Sequence, residues 1–319
     1  MAPNAENVTP GMCSEATDVT GRHEALLYRD LDELRDAVRA FVGARSRAGE
    51  PTLAVVSRNT RRRLGGALEE QAAVHELERI APNPARLLPF LQDWLSEHDG
   101  HGRIVAEPVW AGQGRAETAE ALRHEAMLNV VLGAGAAMLC AYDAAGLDDD
   151  ALAGAEVTHP HVRDVSGSHP SPRFEDPLVA SGGRHWPMRE PADPDSVSVL
   201  HFDGDLGTLR RAVVDHPSVR ALSRIRRDEL VLAFNEAATN AVRHGDGLAR
   251  ARLWQDGDRV VSEISSPAPL ADPLAGGRRP DPEATSGRGL WLINELCDLV
   301  EMRAAGAGVT LRMHVRVAG

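Results

Sequence analysis

The stretch Asn235-Glu236-Ala237-Ala238-Thr239-Asn240-Ala241-Val242-Arg243-His244-Gly245, read together with Gly287-Arg288-Gly289-Leu290, constrains the fold of this chain more than any other feature. Its apolar residues recur at helical spacing. Glu236 and Asn240 are one helical turn apart, so they leave the same face. A carboxylate and a carboxamide side by side on an apolar helix are costly to bury unless something binds them. A hydrated magnesium ion with a triphosphate is such a partner: Asn240 offers a neutral oxygen ligand, and Glu236 can orient or deprotonate a nucleophile. Gly287 and Gly289 leave backbone N–H groups open to phosphate oxygens where the next helix starts.

The text around these motifs reads as a compact α/β unit. Ser196 to Phe202 is expected as a strand and Leu206 to Val214 as a helix. Arg226 to Arg243 is the helix just described. Ala249 to Gln255 and Arg259 to Ser265 are expected as a hairpin over Asp256-Gly257-Asp258, a strong turn signal. Leu270 to Ser286, rich in Pro, Gly and Arg, reads as a mobile lid. Leu290 to Leu296 is expected as a helix, with strands at 300–303 and 309–317.

Upstream lies a second α/β unit. Asp32 to Val42 has helical spacing. Pro51 to Ser57 is a buried strand and Thr60 to Glu69 a helix. Arg86 to His98 is an amphipathic helix, Arg103 to Pro108 a strand, Glu117 to Leu132 a helix and Ala136 to Tyr142 a buried strand. Strands alternating with helices imply a mostly parallel sheet. Residues 1–20 read as a disordered tail, 21–186 as the first domain, 187–195 as a linker and 196–319 as the second domain. The stretch His159 to Asp195 turns to Pro, Gly, Ser, His and Asp, and is expected to be linker or extended tail rather than core.

Bulk properties exclude several classes. The net charge of −12 disfavours broad nucleic-acid or anionic-membrane binding. Every basic residue other than His is Arg, so mechanisms that need a lysine, such as a Walker-type phosphate loop, are excluded. Cys13, Cys140 and Cys297 are too few and too scattered for a disulfide framework or a zinc cluster, and fit a reducing compartment. His159, His161, His169 and His185 lack metal-finger spacing, so no metal site is expected from them. With no signal peptide and no run of about 18 apolar residues, a cytoplasmic protein without a membrane span is expected.

E-x-x-x-N-A followed by G-x-G-L resembles the N box and second glycine box of the ATPase superfamily that includes gyrase and the histidine kinases. Within it, Asn240-Ala241-Val242-Arg243-His244-Gly245, Asp272-Pro273-Leu274, Gly289-Leu290-Trp291-Leu292-Ile293 and Cys297-Asp298-Leu299-Val300 resemble the anti-sigma-factor serine kinases. The resemblance covers roughly Val197 to Val317. It implies a two-layer α/β sandwich of the Bergerat type with a mixed sheet. It further implies ATP and magnesium as cofactors, with Asn240 on the metal and Glu236 as the catalytic base. Gly287, Arg288, Gly289 and Leu290 would lie at the phosphates, with His244 beside them. Ser266 stands where the family has the adenine-binding Asp of a D-x-G box, and Ala268 where it has the Gly. The implied partners are a sigma factor or its antagonist, and the resemblance also implies pairing as a homodimer. Arg278 and Arg279 either reach phosphates or are solvated lid residues.

In the first domain, the segments His23-Glu24-Ala25-Leu26-Leu27-Tyr28, Ala126-Met127-Leu128-Asn129, Leu139-Cys140-Ala141-Tyr142-Asp143, Thr158-His159-Pro160 and Glu175-Asp176-Pro177 look like the MEDS sensory domain. That resemblance implies a RecA-like, mostly parallel α/β fold and an incoming signal, small molecule or protein. Ser57-Arg58-Asn59-Thr60-Arg61-Arg62-Arg63 stands where a phosphate loop would follow the strand, but has neither glycines nor lysine. Sensing or docking is therefore expected here, not ATP hydrolysis. Two other readings stay open for the whole chain: a partner-binding regulator with a degenerate ATP site, and a sensor histidine kinase using His124-Glu125.

Overall fold

The computed structural model describes residues 22–43, 49–202, 204–245, 249–270, 272, 274–280, 287–305 and 308–317. The tail read over residues 1–20, with Cys13, lies outside these, as do Pro273 and residues 281–286 of the segment read as a lid.

The first unit has seven described strands: β1 (Arg22–Tyr28), β2 (Thr52–Val56), β3 (Ala73–Glu76), β4 (Gly102–Ala106), β5 (Ala136–Asp143), β6 (His161–Asp164) and β7 (Gly167–Pro170). The short apolar runs β2, β4 and β5 are covered on both faces, while β3, β6 and β7 are more polar and less buried. Their order is β3-β2-β4-β5-β1-β6-β7, parallel except for β7, which turns straight back onto β6. Helices α1 (Leu31–Gly43), α2 (Arg58–Leu64), α3 (Gly66–Glu69), α4 (Leu77–Ile80), α5 (Leu87–Glu97), α6 (Arg115–Val131), α7 (Asp149–Thr158) and α8 (Pro177–Ala180) connect and cover them. One face packs Leu26, Ala54 and Leu139 under α1 with Leu34 and Val38. The other packs Ala25, Ile104, Met138 and Tyr142 under α5 and α6 with Leu88, Leu91 and Leu122. The helix expected over 60–69 is broken at Gly65, whose positive φ of 58° closes α2 by an N–H bond to the Arg61 carbonyl. The stretch expected to be linker holds β6, β7 and α8, because His161–Asp164 adds to the open edge of β1.

The second unit comprises β8 (Ser198–Phe202), α9 (Leu206–Asp215), α10 (Pro217–Arg220), α11 (Arg224–His244), β9 (Ala249–Asp256), β10 (Arg259–Ser266), α12 (Arg288–Leu296), β11 (Leu299–Ala305) and β12 (Gly308–Arg316). The sheet runs β11-β12-β10-β9-β8, and its described pairings are all antiparallel. The mixed pairing expected of this sheet belongs instead to the first one. Here β9 and β10 join in a tight hairpin at Gly257 (φ 57°), which forces antiparallel neighbours. One face buries Leu253, Val260, Met313 and Val315 under Leu230, Phe234 and Ile293 of α11 and α12.

The opposite face of this sheet is charged and yet largely buried. Arg312 donates to Glu263 from Nη2 at 2.7 Å and Nε at 3.0 Å, Arg252 Nε donates to Glu263 at 2.6 Å, and His314 Nε2 lies 2.9 Å from Glu301. Residues 186–190 cross this face: the Arg189 carbonyl accepts from Arg312 Nη1 at 2.8 Å, and Arg252 Nη1 donates to Glu190 at 2.8 Å. The linker is thus fixed by arginines of the sheet it precedes.

The two units share an interface built on α6. Glu120 is fully buried and binds Arg123 of its own helix (Nε at 2.8 Å) and Arg303 of β11. Arg259 Nη2 donates to Glu117 at 2.6 Å. At the far end, Asn83 Nδ2 and Arg86 Nε donate to the Asn294 carbonyl of α12 at 3.0 and 3.1 Å.

Candidate functional site

The site is set by the way α11 and α12 meet. Ser223 caps α11, its Oγ accepting from the Arg226 N–H at 3.4 Å. Leu230, Phe234, Ala237 and Ala241 turn one side of the helix into the core. That fixes the rotation of α11 and leaves Glu236 and Asn240 half-buried on its flank. Gly289, in the first turn of α12, packs on that flank. A Cβ at Gly289 would stand 3.1 Å from Asn240 Nδ2 and 3.1 Å from Glu236 Oε2. The structure therefore brings Glu236, Asn240 and Gly289 together at one point, where even a Cβ at the glycine would press on the ends of both side chains.

Gly287 caps α12 in the left-handed region (φ 86°, ψ 0°), a conformation that other residues enter only with strain. Gly287 has no side chain with which to cap α12, and the start of a helix carries partial positive charge that favours an anion. Arg288 is exposed in the first turn, Leu290 is half-buried, and His244 is exposed in the last turn of α11. The Ser266 hydroxyl, at the end of β10, accepts from the Ala268 N–H at 3.3 Å, so it is turned onto its own loop. Of Gly287, Arg288, Gly289 and Leu290, it is Gly289 that lies against the α11 pair, while Ser266 closes a turn of its own at the end of β10.

Sequence reasoning missed the anchoring of residues 274–280. Leu274 is buried in the apolar core of the first unit, in the cluster that holds Leu88 and Met127. At Gly277 a Cβ would stand 2.9 Å from Leu88 Cδ2. Asn294 Nδ2 donates to the Gly276 carbonyl at 3.0 Å, while the Asn294 backbone carbonyl is the one held by Asn83 and Arg86. Arg279 pairs with Asp93 of α5 at 2.9 Å, an exposed contact. A lone leucine amid Pro, Gly and Arg was the only signal in the sequence. Leu274→Ala should release this segment. Leu-to-Ala losses of about 2 kcal/mol or more correspond to roughly 30-fold faster hydrogen exchange over 274–280, with β10 unchanged. Equal exchange in variant and parent would contradict the anchoring.

His124, the residue of the histidine-kinase reading, is buried. Its Nδ1 lies 2.7 Å from the Glu120 carbonyl and its Nε2 3.2 Å from Arg123 Nη2. Burial and the neighbouring Arg123 lower its pKa to about 4.

No described helix is long and apolar enough to cross a membrane. No curated protein matches the chain. Among solved structures, the RsbU and RsbW domains of a Mycobacterium tuberculosis protein align at 17% identity. That alignment covers 40% of this chain and 34% of the other, about a third of its length, with a TM-score of 0.30. Family models match two parts of the chain. Residues 22–160 match MEDS, the MEthanogen/methylotroph, DcmR Sensory domain, and residues 203–315 match the histidine kinase-like ATPase domain. The chain joins a MEDS sensory domain to a histidine kinase-like ATPase domain.

Proposed function

We propose that the C-terminal domain binds ATP with magnesium and transfers the γ-phosphoryl group to a serine of a sigma-factor antagonist, under control of the MEDS domain. The observation that carries this reading is the convergence of Glu236, Asn240 and Gly289 at the start of α12. Asn240 would hold the metal and Glu236 would accept the proton of the attacking serine hydroxyl as ADP leaves. The ion would neutralise charge on the β- and γ-phosphates. Backbone N–H groups of the first turn after Gly287 would receive phosphate oxygens, with His244 and Arg288 beside them. The site fits the phosphate end of the nucleotide: a side chain at Gly289 would fill the cradle, and both polar groups face it.

Burial of His124 beneath Glu120 and Arg123 disfavours phosphorylation on that residue. Mixing the full chain and γ-labelled ATP with purified sigma-factor antagonists of the source cell tests the proposal. It expects acid-stable phosphoserine on the antagonist with the parent chain and none with Glu236→Gln. Acid-labile label on the chain itself would overturn it.

A second reading rests on Ser266, whose hydroxyl is bound to its own loop in place of a free carboxylate. In that reading the domain binds its partner without nucleotide. Ser266→Asp separates the two. A charge-assisted bond to the adenine amino group is worth about 1.5–3 kcal/mol, so ATP should bind roughly 10- to 100-fold more tightly if the base lies there. An unchanged affinity would place the base elsewhere.

A further inference from the structure

Four buried side chains from four separate elements meet inside the MEDS domain: His23 of β1, Glu125 of α6, Cys140 of β5, and His159, which caps the C-terminus of α7. One ligand atom from each lies within 4.8 Å of all the others. His159 Nε2 is 3.0 Å from Glu125 Oε2, and His23 Nε2 is 3.3 Å from both that oxygen and Cys140 Sγ. Parallel pairing of β1 with β5 sets Ala25 beside Cys140, which brings His23 to the same region. None of the four is more than 1% exposed.

The hydrogen bonds on the outer side of the two imidazoles determine what the inner side offers. Asn129 Nδ2 donates to the Thr158 carbonyl at 2.7 Å and to the Ala126 carbonyl at 3.2 Å. Its Oδ1 is therefore the atom 2.9 Å from His23 Nδ1, and it can only accept. His159 Nδ1 lies 2.8 Å from the Ala155 carbonyl, again an acceptor. Both rings thus carry their N–H on Nδ1, and in the neutral form both Nε2 lone pairs point inward at a carboxylate and a thiol. His159 Nε2 and Glu125 Oε1 have no hydrogen-bond partner among the described residues. Two imidazole lone pairs and a carboxylate thus share only the Cys140 thiol and the Tyr142 hydroxyl, 3.5 Å from Glu125 Oε2, as inward donors, an excess of acceptors that a cation at the centre would satisfy.

We propose that His23 Nε2, Glu125, Cys140 Sγ and His159 Nε2 form a closed site for a divalent transition-metal ion of the zinc type. Tetrahedral zinc bonds of about 2.0–2.3 Å place ligand atoms roughly 3.3–3.8 Å apart; the spacings of 3.0–3.3 Å lie close to this, and the widest, within 4.8 Å, would close by about 1 Å. Binding forms a metal–sulfur bond and releases the Cys140 thiol proton to solvent. The resulting thiolate and the Glu125 carboxylate balance the two positive charges of the ion, which leaves the buried site neutral. Outer Nδ1–H bonds to carbonyl oxygens are the arrangement that orients metal-ligating histidines. Four protein ligands with no open position make the ion a structural element. It ties α6, which also carries Glu120 at the domain interface, to the centre of the sheet.

The test uses the full chain. Metal analysis of protein purified without chelator should find one zinc per chain. After chelation, Co2+ should bind at one equivalent with a tetrahedral visible spectrum and a thiolate-to-cobalt charge-transfer band. Cys140→Ser, nearly isosteric, should remove that band and weaken binding about 10- to 100-fold, and Glu125→Gln should weaken it similarly. Retention of the parent circular dichroism spectrum shows that the variants fold. Absence of zinc together with no cobalt binding by the folded parent would overturn the site. A cobalt spectrum unchanged in both variants would overturn it as well.

Discussion

Glu120→Ala should cost about 3–5 kcal/mol of stability and uncouple the two domains, the effect expected when one partner of a buried charge network is removed. Glu120 is fully buried, and it is bound by Arg123 within α6 and by Arg303 from β11 across the interface. Its removal leaves two guanidinium groups in a dry interface. Glu120→Gln keeps an acceptor for one of them and should lose less. The order parent, Gln, Ala in urea midpoint is the expected result, and the Ala variant should show two transitions where the parent shows one. Equal midpoints would mean that water reaches the interface.

The same residue gives a pH dependence. Burial pushes the Glu120 carboxyl up, but Arg123, Arg303 and further neighbours outweigh it and hold its pKa below the usual carboxylate range. A depressed folded pKa contributes stability that is complete above the unfolded value, about 4.3 for Glu, and is lost as pH falls through the folded value. Docking should therefore weaken at acid pH, and less so in Glu120→Gln.

The second large effect is at Gly289. Gly289→Val should weaken Mg-ATP binding by at least about 100-fold, or roughly 2.7 kcal/mol. The reason is steric: the added Cβ alone falls 3.1 Å from Asn240 Nδ2 and Glu236 Oε2, and its methyl groups reach further into the same space. Gly289 does not have the positive φ of Gly287, so the backbone tolerates the change. The same crowding should lower the thermal stability of the nucleotide-free variant, so affinity is compared at a temperature where both proteins are folded. Unchanged ATP affinity would show that the nucleotide does not approach α12.

Much of this site was legible because helical geometry is local. Once Arg224–His244 is a helix, Glu236 and Asn240 must share a flank, and Gly289 reads as the place where something comes close. Apolar runs such as Leu53–Val56 identified strands by the same local logic. The contacts of α6 were not legible. Glu120, Arg123, His124 and Glu125 look like a solvated face, yet all are buried, because α6 lies between the sheet of its own domain and β11 of the other. The bond from Asn83 to Asn294 and the seating of Leu274 in the first core join distant parts of the chain and leave no periodic trace. The strands β6 and β7 were hidden by the polar composition of the last two strands of the sheet, of which β7 is the edge.

Calorimetric titration of the full chain with Mg-ATP, in parallel with Asn240→Ala, bears most directly on the proposed kinase. One site of micromolar affinity, lost in Asn240→Ala, is the predicted result. A folded chain that takes up no nucleotide at millimolar concentration, or an Asn240→Ala variant that binds as well as the parent, would contradict it.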